Sequence, residues 1–136
     1  ARLPRTTRPR FALPGAQRMK YLFILNDLPY GTERSYNGLR LARELLKDTD
    51  AGNEVRVFLI GDAAACAKVG QKVPSGYYHI ESFLKSLVRQ RSEIGVCGTC
   101  LDARGIADSE LVEGTRRSTM AELNAWTVWA DKVIVF

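Results

Sequence analysis

The sequence predicts one three-layer α/β/α domain: a mostly parallel sheet of four to five strands with helices on both faces. Three observations lead there. Short apolar runs of strand length recur along the chain. The first of them, Lys20-Tyr-Leu-Phe-Ile-Leu25, is continuous after its lysine, as strands covered on both faces are. Segments with helical spacing separate the runs, and alternation of strand and helix gives parallel pairing through right-handed crossovers. The 136 residues suffice for one core, and no apolar run approaches the roughly 18 residues of a membrane-spanning helix.

Residues 1–18 carry prolines at 4, 9 and 14, five arginines and no acid, without periodicity. They read as a flexible basic leader outside the fold, and residues 19–136 read as the single domain. The loop Asn26-Asp-Leu-Pro-Tyr-Gly31 follows the first strand. Thr32 is expected to cap a helix running to about Lys47, with Tyr36, Leu39, Ala42 and Leu46 on its buried face. Residues 55–60 are the second strand, and Asp62 is expected to cap a short helix that stops at Gly70. After a flexible loop, a third helix spans about 78–90, with Ile80, Phe83, Leu84, Leu87 and Val88 as its apolar stripe. Residues 94–97 are the third strand. Within 107–117 only Leu111-Val112 suggests a short strand. Thr119-Met-Ala-Glu122 has the form of a capping box. It opens a helix that buries Leu123, Trp126 and Ala130, and residues 132–136 are the last strand.

The formal net charge of +5 invites a nucleic-acid reading, but its location opposes one. Five of the twenty basic residues lie in the leader, which leaves the body neutral, with fifteen basic residues against fifteen acids. A nucleic-acid binder carries its basic patch on the fold. Nothing has the pattern of a secretory signal or a membrane span. Three cysteines, an odd number, argue against a secreted disulfide framework and point to a reducing cytoplasm.

The chemistry concentrates in Ile94-Gly-Val-Cys97-Gly-Thr-Cys100-Leu-Asp-Ala-Arg104-Gly105-Ile106. A strand hands over to a short helix there, and Gly105 suits the left-handed residue that closes it. The two thiols therefore sit at the carboxyl edge of the sheet, where ligands bind in parallel α/β folds. Amides of the turn at Gly98 and Thr99 favour an anion, so a cysteine at this place tends toward the thiolate. Three readings of Cys97-x-x-Cys100 compete: a redox dithiol, half of a zinc site, and a persulfide carrier. Zinc needs about four ligands, and only Cys66 and His79 remain as further candidates. Cys66, in an alanine-rich stretch, reads as a small buried apolar residue. Arg104 shares a helix face with Cys100 and either stabilises a thiolate or pairs with Asp102 or Asp108. Asn26, Asp27 and Tyr30 follow the first strand at the same edge of the sheet. They are either part of the site or caps of their own turn. His79, the only histidine, is either a structural partner or a functional group carried over the thiols by its loop.

These residues resemble the DsrE/DsrF-like family, and within it the YchN branch. The likeness lies in Asn26 to Ala42 with Pro29-Tyr30-Gly31, in Phe58-Leu-Ile-Gly-Asp-Ala63, and in Gly70-Gln-Lys72 with Gly76-Tyr77. It continues in Cys97-x-x-Cys100-x-Asp102-x-Arg104-Gly105-Ile106 and in Trp126 with Ala130-Asp131-Lys132-Val133. The resemblance implies a Rossmann-like or flavodoxin-like three-layer domain that assembles as a homotrimer or homohexamer. It implies a sulfur relay, in which a cysteine persulfide passes sulfane sulfur between donor and acceptor proteins as a sulfurtransferase does. Cys97 matches the persulfide-bearing cysteine, because Arg104-Gly105 follows at the same offset. Cys100 matches a second cysteine that relay members need not have, so a persulfide-reducing dithiol is the alternative. A non-catalytic oligomeric binding or regulatory domain is the rival from another class. The transfer itself requires no metal, flavin or nucleotide.

Overall fold

The computed structural model describes residues 18–136. The leader read at 1–18 lies outside them, apart from Arg18, whose guanidinium pairs with Glu54 at 2.6 Å. Five strands form one sheet: β1 (Lys20–Leu25), β2 (Glu54–Leu59), β3 (Glu93–Cys97), β4 (Thr115–Ser118) and β5 (Lys132–Val135). Their order is β4-β3-β2-β1-β5, and every pairing is parallel. Among the described residues four α-helices connect or flank them: α1 (Arg34–Lys47), α2 (Ile80–Arg89), α3 (Gly98–Ala103) and α4 (Met120–Trp129).

Alternation along the strands divides the apolar residues between two layers. Phe23 and Leu25 of β1, Val57 and Leu59 of β2, and Ile94 and Val96 of β3 point to one face. There they pack with Leu39 and Ala42 of α1 and Leu84 and Leu87 of α2. Leu22 and Phe58 point to the other face, which α4 covers with Leu123 and Trp126. The Trp126 ring meets Phe58 edge to face at 6.2 Å, and the Arg56 guanidinium lies 3.9 Å over the ring of Trp129. This second layer is thin. Val133 and Val135 stand beside Leu22 and Ile24 in the register of β5 on β1, yet both are exposed.

The structure corrects several local expectations. Thr32 does not cap α1. Its hydroxyl donates to the Asp27 carboxylate at 2.8 Å, and the helix starts after Glu33 without a side-chain cap. Asp62 caps nothing, because the segment after β2 is a 3-10 turn, Gly61–Ala67, that follows an extended Ile60. Leu111 makes only an isolated antiparallel bridge to Lys68, and the fourth strand lies four residues further on. That strand, Thr-Arg-Arg-Ser, carries no apolar alternation because it is a sheet edge, where charged side chains discourage further pairing. The capping box closes by half. Thr119 accepts from the Glu122 amide at 3.2 Å, but the Glu122 carboxylate turns to Ser118 and Arg116 instead of back to the cap. Gly105 closes α3 as expected, at φ 64°, with the Ile106 amide reaching back to the Leu101 carbonyl at 3.0 Å.

Gly114 launches β4 from a φ of 89°, and Val88 fills the space a side chain would need. Gly114→Ala should therefore cost about 1–3 kcal/mol of stability from backbone strain and overpacking. Urea denaturation reads it, and an unchanged midpoint would mean that this turn has slack.

Candidate functional site

Cys97 is the last residue of β3 and also the residue before the first turn of α3. No loop intervenes, so Cys100 comes round one helical turn later onto the same side. The two sulfurs lie 2.6 Å apart, with the Cys100 thiol donating. Both residues are partly exposed, and neither is in a disulfide. The Gly61 amide, at the turn after β2, donates to the Cys100 sulfur at 3.2 Å. Thr99 brings its hydroxyl to 3.3 Å from the Cys97 sulfur.

These contacts separate the two thiols. Burial works to raise the pKa of Cys97, but hydrogen bonds from the Cys100 thiol, the Thr99 hydroxyl and the amides of Cys100 and Thr99 outweigh it. The net shift is downward from the ordinary thiol value. Burial and the hydrogen bond that Cys100 gives to Cys97 push Cys100 upward, against a smaller opposing pull from the Gly61 amide. Cys97 is thus the thiol shifted toward its anion and Cys100 its proton-bearing neighbour. Cys66 is a third case. It is buried, its thiol reaches the Asp27 carbonyl at 3.6 Å, and burial pushes its pKa up to about 12.

Of the further candidates, the structure brings Gly98, Thr99 and Arg104 to the thiols. Arg104 takes neither acid proposed for it. One nitrogen donates to the Cys100 carbonyl at 3.0 Å and another to Asp62 at 2.6 Å, which locks the end of α3 to the turn after β2. Asp102 and Asp108 belong instead to Arg117, a residue the sequence did not single out.

Asn26, Asp27, Tyr30 and His79 make their contacts elsewhere on the same edge. Asn26 binds the Phe136 carbonyl through both its amide and its side chain. Asp27 organises the turn before α1, accepting from Thr32 on its carboxylate and from Ser35 on its carbonyl. The Tyr30 hydroxyl accepts the Ile80 amide at the start of α2. The His79 ring is held between the Ser82 hydroxyl at 2.8 Å and the Gln71 carbonyl at 3.1 Å, so it staples its own loop. Among the described residues, no three His, Cys, Asp or Glu side chains converge in a way that could hold a metal ion. No helix among them is long and apolar enough to cross a membrane.

The depressed Cys97 thiol fixes a pH dependence. A lowered pKa means the anion forms from lower pH upward, so alkylation of Cys97 should rise through a midpoint below that of a free thiol. Cys100→Ala removes the donated hydrogen bond, so the midpoint should move up and the rate at neutral pH should fall, by roughly three- to ten-fold. Cys100→Ser keeps a donor and should stay near wild type. Iodoacetamide labelling followed on the Cys97 peptide measures all three. A wild-type midpoint in the free-thiol range would refute the assignment of roles.

Comparison with known proteins agrees with this architecture. The DsrE/DsrF-like family profile matches residues 19–136. Protein YchN of Escherichia coli K12 is 38% identical over 117 residues, covering 86% of this chain and 98% of YchN. An uncharacterized protein of Methanocaldococcus jannaschii is 36% identical over 118 residues, covering 87% of this chain and all of its own. The crystal structure of the E. coli ychN protein superposes with a TM-score of 0.80, covering 87% of this chain and 99% of that one. A protein of unknown function from Methanobacterium thermoautotrophicum shares the fold at a TM-score of 0.69 and 14% identity, with 87% of this chain and 99% of that one covered. The chain belongs to the DsrE/DsrF-like family.

Proposed function

We propose that this protein carries sulfane sulfur as a persulfide on Cys97 and passes it to a partner thiol. The observation that carries the reading is the pairing of a thiol shifted toward its anion with a protonated thiol 2.6 Å away, at a partly exposed turn. The Cys97 thiolate attacks the outer sulfur of a donor persulfide. One sulfur–sulfur bond forms, the donor's own sulfur–sulfur bond breaks, and the donor leaves as a thiolate. An acceptor thiolate then attacks the terminal sulfur on Cys97 in the same way. Sulfane sulfur only changes hands, so no electrons enter or leave. Membership of a family linked to sulfur relay supports the reading at the coarser level.

The nearness of Cys100 supports a second outcome at the same site. As a thiolate, Cys100 can attack the inner sulfur of the Cys97 persulfide, forming the Cys97–Cys100 disulfide and expelling hydrosulfide. The protein would then act as a persulfide reductase, and an external dithiol would have to restore it. Loading Cys97→Ser and Cys100→Ser with a persulfide donor, with added sulfur counted by intact mass, separates the possibilities. Cys97→Ser should take up no sulfur. Cys100→Ser should load fully and hold its sulfur longer than wild type. Loading that survives Cys97→Ser and is lost with Cys100→Ser would overturn the roles. Two inert thiols would favour a purely binding domain.

Assembly into a homotrimer or homohexamer belongs to the same reading. The face that α4 covers incompletely leaves Val133 and Val135 exposed, and partly buried Ile24, Ile60 and Cys97 adjoin that layer. A second copy of the chain seated there would cover apolar surface beside the reactive thiol. Sedimentation equilibrium should show an oligomer, reduced to a monomer by Val133→Asp with Val135→Asp. A wild-type monomer at micromolar concentration would refute it.

A further inference from the structure

We infer that Arg117 is a positioning residue for the Cys97 nucleophile, acting through the peptide bond between Gly98 and Thr99. Its guanidinium makes three bonds in three directions. One terminal nitrogen donates to the Gly98 carbonyl at 3.0 Å, the other to Asp102 at 2.8 Å, and Nε donates to Asp108 at 2.8 Å. Gly98 and Asp102 are the first and fifth residues of α3, so a single fork grips both ends of the thiol-bearing helix from β4. In the strand register Cys97 lies opposite Ser118, the residue after Arg117, which places the fork directly beside the nucleophile's turn.

The effect on Cys97 follows from peptide geometry. The Gly98 carbonyl and the Thr99 N–H belong to one planar trans unit, in which the two bonds point in opposite directions and their dipoles add. Anchoring the oxygen on a cation therefore aims the N–H the other way and polarises it, which strengthens it as a donor. The Thr99 amide is the smallest of the groups that draw the Cys97 thiol toward its anion, and the larger ones, the Cys100 thiol at 2.6 Å and the Thr99 hydroxyl at 3.3 Å from the Cys97 sulfur, ride on the same helix that the fork grips. A side chain at position 98 would crowd the same fork. A Cβ there would lie 2.8 Å from an Arg117 nitrogen and 3.2 Å from the Ser118 carbonyl. Arginine is needed because its planar fork meets a carbonyl and two carboxylates at once, whereas an ammonium is a single point of charge. The charged groups around the thiols come from every neighbouring element. Asp62 stands at the turn after β2, Asp102 on α3, Arg104 at its C-terminal cap, Asp108 in the following segment and Arg117 on β4.

This inference deepens the reading above. It rests on Cys97 as the reactive thiol but not on what Cys97 attacks. Its test is therefore the pH–rate profile of iodoacetamide labelling on the Cys97 peptide, a readout that needs no sulfur donor. Wild type, Arg117→Lys and Asp108→Asn are compared in high salt, which screens direct charge effects. Arg117→Lys keeps the charge and loses the fork. Its midpoint should move up and its rate at neutral pH should fall by roughly three- to ten-fold, with the melting temperature read alongside. Asp108→Asn, which alters the one arm that does not reach α3 and leaves both the Gly98 and the Asp102 bonds in place, should follow wild type. A profile of folded Arg117→Lys that overlays wild type would overturn the proposal, and so would an equal shift in Asp108→Asn. Should Arg117→Lys fail to fold, Asp102→Asn releases one arm of the fork at an exposed position. Loss of an acid by charge alone lowers the Cys97 midpoint, whereas loss of positioning raises it. An upward move in that variant supports the inference, and a downward or absent move overturns it. A protein that labels as expected but takes up no sulfur would refute the carrier function and leave this assignment standing.

Discussion

Everything at the candidate site depends on the missing loop between β3 and α3. Cys97 ends the strand at φ −54° and ψ 115°, and the next residue already begins the helix. A longer connection would let the two thiols drift apart. With none, one helical turn carries Cys100 back against Cys97, and Gly105 stops the helix before it grows into a crossover of ordinary length. Glycine at 98 is part of the same constraint, because the Arg117 side chain and the Ser118 carbonyl occupy the space around it. The short helix is held at its start by Arg117 and at its end by Arg104, each pairing with acids on α3 or on adjoining segments.

The sheet order places this turn away from the usual ligand crevice. In an open parallel sheet that crevice lies where the strand order reverses, which here is between β1 and β5. Asn26 spans that position and ties the end of β1 to the Phe136 carbonyl by two hydrogen bonds, while Phe136 stacks on Phe23. The thiols stand two strands further along, at the end of β3, where the turn is partly exposed. A turn placed there leaves both thiols partly exposed instead of enclosed in a crevice.

The parallel sheet and the thiol turn were legible in the sequence because both are written locally. Continuous apolar runs marked β1, β2 and β3, and the Cys-Gly-Thr-Cys spacing with Gly105 fixed the strand-to-helix turn. β4 was not legible. An edge strand of Thr-Arg-Arg-Ser has no apolar alternation, and its strand character comes entirely from pairing with β3. Arg117 was missed for the same reason, since its partners lie up to nineteen residues away in sequence and meet it only across the fold. Asn26, Asp27, Tyr30 and His79 are the opposite case, named from the sequence but contacting residues other than the thiols. Both a site role and a structural role were open for them, and their hydrogen bonds go to the Phe136 carbonyl, the turn before α1, the start of α2 and the loop before it. The one signal that distinguishes such residues from site residues is hydrogen-bond partnership, which a sequence does not display.

The arginines near the thiols are already neutralised, and this decides how Cys97 is activated. Arg104 faces Asp62, and Arg117 faces Asp102 and Asp108, so these five side chains carry one more negative charge than positive. A field of that sign opposes a thiolate at a distance. The downward shift of Cys97 therefore comes from short-range donors: the Cys100 thiol, the Thr99 hydroxyl and two amides of the turn. Short-range hydrogen bonds are directional, and they hold only while α3 keeps its place. A thiolate stabilised by bulk positive charge would survive a shift of its helix, but one stabilised by aimed donors does not. The ion pairs thus act on Cys97 as mechanical fixings for the groups that touch it, and their own charge contributes little.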